Sequence, residues 1–134
     1  MDHLSKQSRS ALMSRVRRSG TGPELTVRRL VYSMGFRYRL CVAGLPGRPD
    51  LVFRSSRRVI FVHGCFWHHH TCPRGKPPLS NSEYWIRKLD ANVKRDQRVL
   101  EQLESTGWKV LVVWECETRD LENLEARIRI FLKS

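Results

Sequence analysis

Three consecutive histidines, His68 to His70, lie between two cysteines of this chain, Cys65 and Cys72. Cysteine sulfur and histidine nitrogen are the usual ligands of structural zinc sites, which hold the ion in a tetrahedron. Cys65, His70 and Cys72 supply three such ligands within a short stretch, and Cys116, far along the chain, is the candidate for the fourth. The pattern favours a Cys3His zinc site over the alternative of unligated, buried thiols.

A single zinc ion cannot use every histidine, so His63 and His68 remain for other chemistry. If the stretch after Cys65 is extended, His68 points to a different side from His70. An imidazole can act as a general base, as a proton donor to a leaving group or as a contact to a phosphate. Asp50 opens a predicted strand, and we expect it near His63. This combination favours a catalytic site, although a lone histidine is more often an ordinary surface or core residue.

Two further acidic residues stand out in so basic a chain. Asp96 falls on the apolar side of a predicted helix, between Val93 and Leu100, where leucine would be expected. A carboxylate there is unfavourable unless it is paired or hydrogen-bonded. Two explanations stay open: a buried ion pair with an arginine, or a carboxylate that orients a catalytic histidine. Glu24 is explained by a capping box with Thr21 at a helix start.

Three aromatic residues accompany the histidines. Phe66 and Trp67 lie in an otherwise polar loop, and Trp85 begins the long helix that follows. Rings beside a phosphate site are suited to wedging between base pairs or to stacking on bases. Packing in the core is the alternative, and it is strongest for Trp85.

The predicted elements explain how these residues could meet. Alternating apolar residues in "FRYRLCV", "DLVF" and "RVIFVH" predict a three-stranded meander. An apolar stripe predicts a helix over Ser82–Ser105, and the apolar run at 109–116 predicts a strand buried on both faces. A crossover through that helix makes strands 58–63 and 109–116 parallel, so Cys65 and Cys116 should emerge at one edge of the sheet. Further helices are predicted from Thr21 to Gly35 and from Leu121 to Phe131.

Composition indicates the kind of partner. The chain has 134 residues, with 25 Lys and Arg against 13 Asp and Glu, a net charge of +12. This charge favours a nucleic acid, with a merely basic surface as the alternative. No apolar stretch is long enough to span a membrane, so we expect a cytoplasmic protein without a membrane partner, in which four cysteines indicate metal or catalysis rather than disulfides. Residues 1–20 read as a basic, flexible arm and residues 21–134 as a single domain.

Four segments together resemble the very short patch repair (Vsr) endonucleases. They are "LPGRPDLVF", "VIFVHGCFWHHHTC", "NVKRDQR" and "GWKVLVVWEC", in that order. The resemblance implies an α/β fold like that of type II restriction endonucleases, in which helices flank a mixed β-sheet beside a structural zinc site. It implies a Mg2+-dependent enzyme that nicks one DNA strand 5′ of the thymine in a T:G mismatch left by 5-methylcytosine deamination. We expect a monomer acting on double-stranded DNA, with downstream repair proteins as candidate partners.

The resemblance also assigns residues by position. The catalytic set is Asp50, His63, His68, Glu24 and Asp96, and Mg2+ is held by Asp50 and the backbone carbonyl of Val62. The Zn2+ set is Cys65, His70, Cys72 and Cys116. The residues that intercalate in DNA are Phe66, Trp67 and Trp85 from one groove and Met13, on the arm, from the other.

The chain departs from the family pattern at a few places. Val62 replaces the usual threonine, which preserves a carbonyl ligand but no hydroxyl, and Thr71 stands where some members have another histidine. The C-terminus is also short. A zinc-stabilised module that binds distorted DNA without cutting it is the alternative function, and the pairing of Asp50 with His63 favours the enzyme. Which of His63 and His68 is the general base is left open.

Overall fold

The computed structural model describes residues 22–134. The predicted basic arm, with Met13, and the capping residue Thr21 lie outside the described residues. The division into an arm and a single domain therefore stays a prediction.

Three helices and three strands make up the described part of the chain. The helices are α1 (Gly22–Ser33), α2 (Ser82–Ser105) and α3 (Leu121–Lys133). The strands are β1 (Leu51–Phe53), β2 (Arg58–His63) and β3 (Lys109–Trp114), and short 3-10 turns lie at Pro73–Gly75 and Glu115–Arg119. The predicted bounds of α2 are confirmed. Within residues 22–134, none of the helices combines the length and the hydropathy of a membrane-spanning segment.

The strands form one mixed sheet in the order β1-β2-β3. β1 pairs with β2 in antiparallel fashion, and β2 pairs with β3 in parallel, with Arg58 opposite Lys109 and His63 opposite Trp114. The predicted parallel pairing across α2 is therefore confirmed. Its consequence for function is that the carboxyl ends of β2 and β3 lie side by side.

The sheet lies between two layers of helices. On one face Ile60 and Val113 belong to a buried cluster with residues of α1 and α3. On the other face Val59 and Phe61 belong to a cluster with Leu103 of α2. Residues that alternate along a strand point to opposite faces, which is why β2 serves both clusters. The described residues thus form a mixed α/β structure with helices on both sides of the sheet.

Two predicted strand features are wrong. In the segment "FRYRLCV" only Arg39 pairs with β1, through an isolated bridge to Val52. Cys41 has a φ of 54°, a left-handed conformation that a strand does not adopt, so the segment cannot continue along β1. The strand at 109–116 is also not buried on both faces: it forms an edge of the described sheet, with only Val113 fully buried, and it ends at Trp114 where a 3-10 turn begins.

Candidate active site and metal-binding group

The loop after β2 separates the histidines into two groups. It turns tightly rather than running extended, because the N–H of His68 donates to Gly64 at 3.2 Å and that of His70 donates to Cys65 at 2.9 Å. Gly75 closes against this loop so tightly that an added Cβ would lie 1.9 Å from the carbonyl oxygen of His70. The stretch is therefore not extended, but His68 and His70 do join different groups, as described next.

Three cysteines and one histidine form the first group. The ligand atoms of Cys65, His70, Cys72 and Cys116 all lie within 4.8 Å of one another, and the Cys116 Sγ is 3.6 Å from Nδ1 of His70. Burial raises the pKa of the Cys65 thiol to about 12, so a thiolate there requires a neighbouring cation. Three sulfurs and one imidazole are a donor set suited to a soft divalent ion such as Zn2+. The predicted meeting of Cys65 with Cys116 is confirmed, and this group could hold a metal ion.

Two histidines and an aspartate form the second group. The rings of His63 and His68 are stacked, with centroids 3.8 Å apart and an angle of 3° between their planes. Nδ1 of His68 lies 2.6 Å from Oδ2 of Asp96. Burial, followed by the charge of His68, lowers the pKa of His63 to about 4, although Asp96 opposes the shift. His63 is therefore neutral at pH 7, and Asp96 is paired with a histidine rather than with an arginine.

Two carboxyl groups meet next to this pair. Oδ2 of Asp50 accepts a hydrogen bond at 2.6 Å from the backbone N–H of Val62, the residue that precedes His63. Glu24, only 5% exposed, reaches Asp50 from α1 and forms an ion pair with Arg28. Burial, reinforced by the hydrogen bond to Glu24, raises the pKa of Asp50 to about 8. A capping role alone does not explain why the Glu24 carboxyl group meets Asp50.

The carboxyl pair, Glu24 and Asp50, and the histidine pair, His63 and His68, line one cleft of about 1190 Å3. The predicted site residues in its wall are Glu24, Asp50, Val62, His63, Phe66, Trp67, His68, His70 and Asp96. Gly47 positions the loop before Asp50, since it has a φ of 74° and an added Cβ would lie 2.3 Å from Val99 of α2. The cleft therefore brings together a carboxyl pair and a histidine pair, as the sequence predicts for Asp50 and His63.

The predicted aromatic residues form one cluster beside the cleft. The ring of Phe66 lies 5.1 Å from Trp67 and 5.4 Å from Trp85, and the two tryptophan rings are 6.0 Å apart. All three are partly buried, and they belong to neither core cluster. Nδ2 of Asn92 donates to the carbonyl of Trp67 at 2.9 Å and thereby ties the loop to α2. Met13 lies outside the described residues.

The sequence reasoning missed two features of this region. Trp114 contacts His63, His68 and His70, although it was assigned only to the apolar strand. Its place opposite His63 in the parallel register was the signal that could have identified it. Three cations, Arg48, Lys88 and Arg95, also line the cleft, and side chains of this kind contact the phosphates of a nucleic acid.

Comparison with known proteins places the chain in a family. Residues 1–74 match the model of the family described as DNA mismatch endonuclease Vsr. The chain is 52% identical to the type II nicking enzyme V.XorIIP of Xanthomonas oryzae pv. oryzae, over 98% of this chain and 96% of that protein. It is 44% identical to the DNA mismatch endonuclease Vsr of Escherichia coli K12, over 89% of this chain and 76% of that protein. It is 40% identical to the type II nicking enzyme V.NmeAIP of Neisseria meningitidis, over 89% and 85%.

These matches, together with the cleft, define an endonuclease. The chain belongs to the Vsr family of DNA mismatch endonucleases. The resemblance seen in the four sequence segments is thereby confirmed.

Proposed function

We propose that this protein is a Mg2+-dependent endonuclease that nicks one strand of double-stranded DNA 5′ of the thymine in a T:G mismatch. Such mismatches arise when 5-methylcytosine deaminates, so the nick starts a repair reaction. The observation that carries the proposal is the cleft in which the Glu24–Asp50 carboxyl pair adjoins the His63–His68 pair. We propose that the sheet and its flanking helices are a restriction-endonuclease-like fold.

The carboxyl pair is the proposed Mg2+ site. Asp50 and the backbone carbonyl of Val62 would hold the ion, with Glu24 beside its water ligands. Burial, followed by the hydrogen bond to Glu24, raises the pKa of Asp50 to about 8, which fits this assignment because a divalent cation would take the place of the proton that the carboxyl pair retains. When bound, Mg2+ supplies an activated water and stabilises the charge on the phosphate.

The histidine pair is the proposed proton-transfer group. Asp96 holds His68 through Nδ1, which fixes the ring and leaves Nε2 as the atom that can accept or donate a proton. His63, neutral at pH 7, adds a second imidazole 3.8 Å from the first. We propose that His68 assists the attacking water and that His63 contacts the phosphate or the leaving oxygen.

The Cys65, His70, Cys72 and Cys116 group is the proposed structural zinc site. Its role would be to fix the loop that carries His68 and the aromatic cluster, since His70 lies two residues from His68. Phe66, Trp67 and Trp85 would wedge into one groove and Met13 into the other. Unstacking is least unfavourable at a mismatch, so a wedge selects mismatched DNA without reading every base.

A labelled duplex with one T:G pair tests this function. With Mg2+ we expect a single nick 5′ of the thymine and a much slower reaction on the matched duplex. Without added Mg2+ we expect binding but no nick. Binding without cleavage in the presence of Mg2+ would instead support the alternative, a zinc-stabilised module for distorted DNA. The monomeric state, the cytoplasmic location and the downstream repair partners remain predictions.

A further inference from the structure

Trp114 contacts both histidine groups of the site. Its indole stacks on His70 of the group formed by Cys65, His70, Cys72 and Cys116, called the Cys/His group below. The ring centroids are 4.1 Å apart, with 17° between the planes. The same indole meets the histidine pair at steep angles, 5.3 Å from His63 and 6.4 Å from His68. A single side chain therefore lies against a candidate zinc ligand and against both candidate proton-transfer residues.

The position of Trp114 is well restrained. Its backbone N–H donates to Oε1 of Glu117 at 2.9 Å, and Glu117 forms an ion pair with Arg127 of α3. Cys116, a member of the Cys/His group, follows two residues later in the same turn. Binding of an ion by Cys116 and His70 would therefore fix both the backbone beside Trp114 and the ring stacked on it.

We propose that Trp114 is a positioning residue, which transmits the geometry of the Cys/His group to the His63–His68 pair. The inference rests on the proposed roles of these two groups. Asp96 holds His68 through one hydrogen bond, and the indole limits how both rings can tilt. The Cys/His group thereby acts on His63 and His68 through the packed indole of Trp114, and not only by stabilising the fold.

Nuclear magnetic resonance of the histidine rings tests the coupling without any measurement of cleavage. The protein, labelled with 15N in histidine, is loaded with Zn2+ or with the larger ion Cd2+, and elemental analysis establishes occupancy. In the wild type we expect the exchange of ions to shift the ring nitrogens of His63 and His68. In Trp114→Leu we expect that shift to shrink several-fold, and Trp114→Phe should retain most of it because a flat ring is preserved.

Two outcomes would overturn the inference while the metal is bound. One is a wild-type spectrum in which His63 and His68 do not respond to the ion. The other is a response of equal size in Trp114→Leu. Failure to bind either ion is a different result, because it removes the proposed zinc site itself.

The rate of nicking supplies a second, independent readout. A misplacement of about 1 Å in a catalytic group can slow a reaction by about 100-fold, so we expect Trp114→Leu to lower kcat by about 10- to 100-fold. The Kd for DNA should change by less than about two-fold, and Trp114→Phe should recover most of the rate. Val113→Ala is the matched control. Val113 immediately precedes Trp114, and its side chain is fully buried in the core cluster that the sheet forms with α1 and α3.

The control separates positioning from general loss of stability. We expect Val113→Ala to lower stability but to keep kcat within about three-fold of the wild type. An equal loss of kcat in Val113→Ala, or weaker DNA binding with unchanged kcat in Trp114→Leu, would overturn the inference. A wild type that nicks no DNA would instead refute the proposed function, and the resonance measurement would still report on Trp114.

Discussion

Replacing Asp96 by asparagine tests the proposed proton-transfer group most sharply. Nδ1 of His68 lies 2.6 Å from Oδ2 of Asp96, and the Asp96 side chain is only 26% exposed, so solvent screens the contact incompletely. A hydrogen bond to a charged group contributes about 1.5–3 kcal/mol. Each 1.36 kcal/mol corresponds to a factor of ten in rate. We therefore expect Asp96→Asn to slow single-turnover nicking of a T:G duplex by about 10- to 100-fold.

The assay must separate this effect from a change in charge. Asp90→Asn is the matched control, because Asp90 lies on the same helix, is 59% exposed and pairs only with Lys94 among the ion pairs of the described residues. Both variants gain the same charge, so any common increase in DNA affinity cancels. With saturating protein, we expect the rate loss in Asp96→Asn and a rate near that of the wild type in Asp90→Asn. Equal rates for the two variants would refute the proposed role of Asp96 in orienting His68.

Three further predictions follow from other parts of the site. Cys116→Ser should lower the bound zinc, measured by elemental analysis, from about one ion per chain toward zero. Cys41→Ser should leave the zinc content unchanged, because Cys41 is exposed and lies outside the Cys/His group. A full zinc content in Cys116→Ser would remove that residue from the site. Phe66→Ala should lower the preference for a T:G duplex over a matched duplex by about 10-fold, and it should lower the overall affinity for DNA much less. Leu79→Ala is the control, because Leu79 is 98% exposed. An unchanged preference in Phe66→Ala would exclude Phe66 from the wedge. Burial, followed by the hydrogen bond to Glu24, raises the pKa of Asp50 from 3.8 to about 8, so without Mg2+ the folded protein retains, between about pH 4 and pH 8, a proton that the unfolded chain has lost. The contribution of this carboxyl group to the free energy of unfolding should therefore fall as the pH rises through that range. Denaturant titrations should show that Asp50→Asn removes this slope, and a slope that survives would mean that another group causes it.

The metal-binding group shows what the sequence could predict. Cys65, His70 and Cys72 are close along the chain, and a general rule for right-handed crossovers places Cys116 next to them. The length of α2 follows in the same way, because its apolar stripe runs from Trp85 to Leu103 and is interrupted only at Asp96. These features depend on local pattern and on topology, both of which the sequence carries.

The features that were missed depend on contacts between distant segments. The strand predicted over residues 36–42 fails because the left-handed backbone at Cys41 is not visible in an alternating pattern. The apolar run of β3 was interpreted as fully buried, but an edge strand with apolar residues has the same pattern. The meeting of Glu24 with Asp50 was likewise not visible in the residues themselves, because the helix-capping motif already explained Glu24, and only the family resemblance placed Glu24 in the catalytic set.

The central claim is that the Glu24–Asp50 carboxyl pair, beside the His63–His68 pair, forms the active site for DNA cleavage. The rate at which the Asp50→Asn variant nicks DNA tests this claim most directly. The measurement is single-turnover nicking of a T:G duplex with Mg2+, alongside the Kd of each protein for the same duplex. We predict that the wild type cuts one strand, and that Asp50→Asn binds the mismatch at least as tightly but cuts it more than about 100-fold more slowly. Nicking by Asp50→Asn at the rate of the wild type would contradict the account.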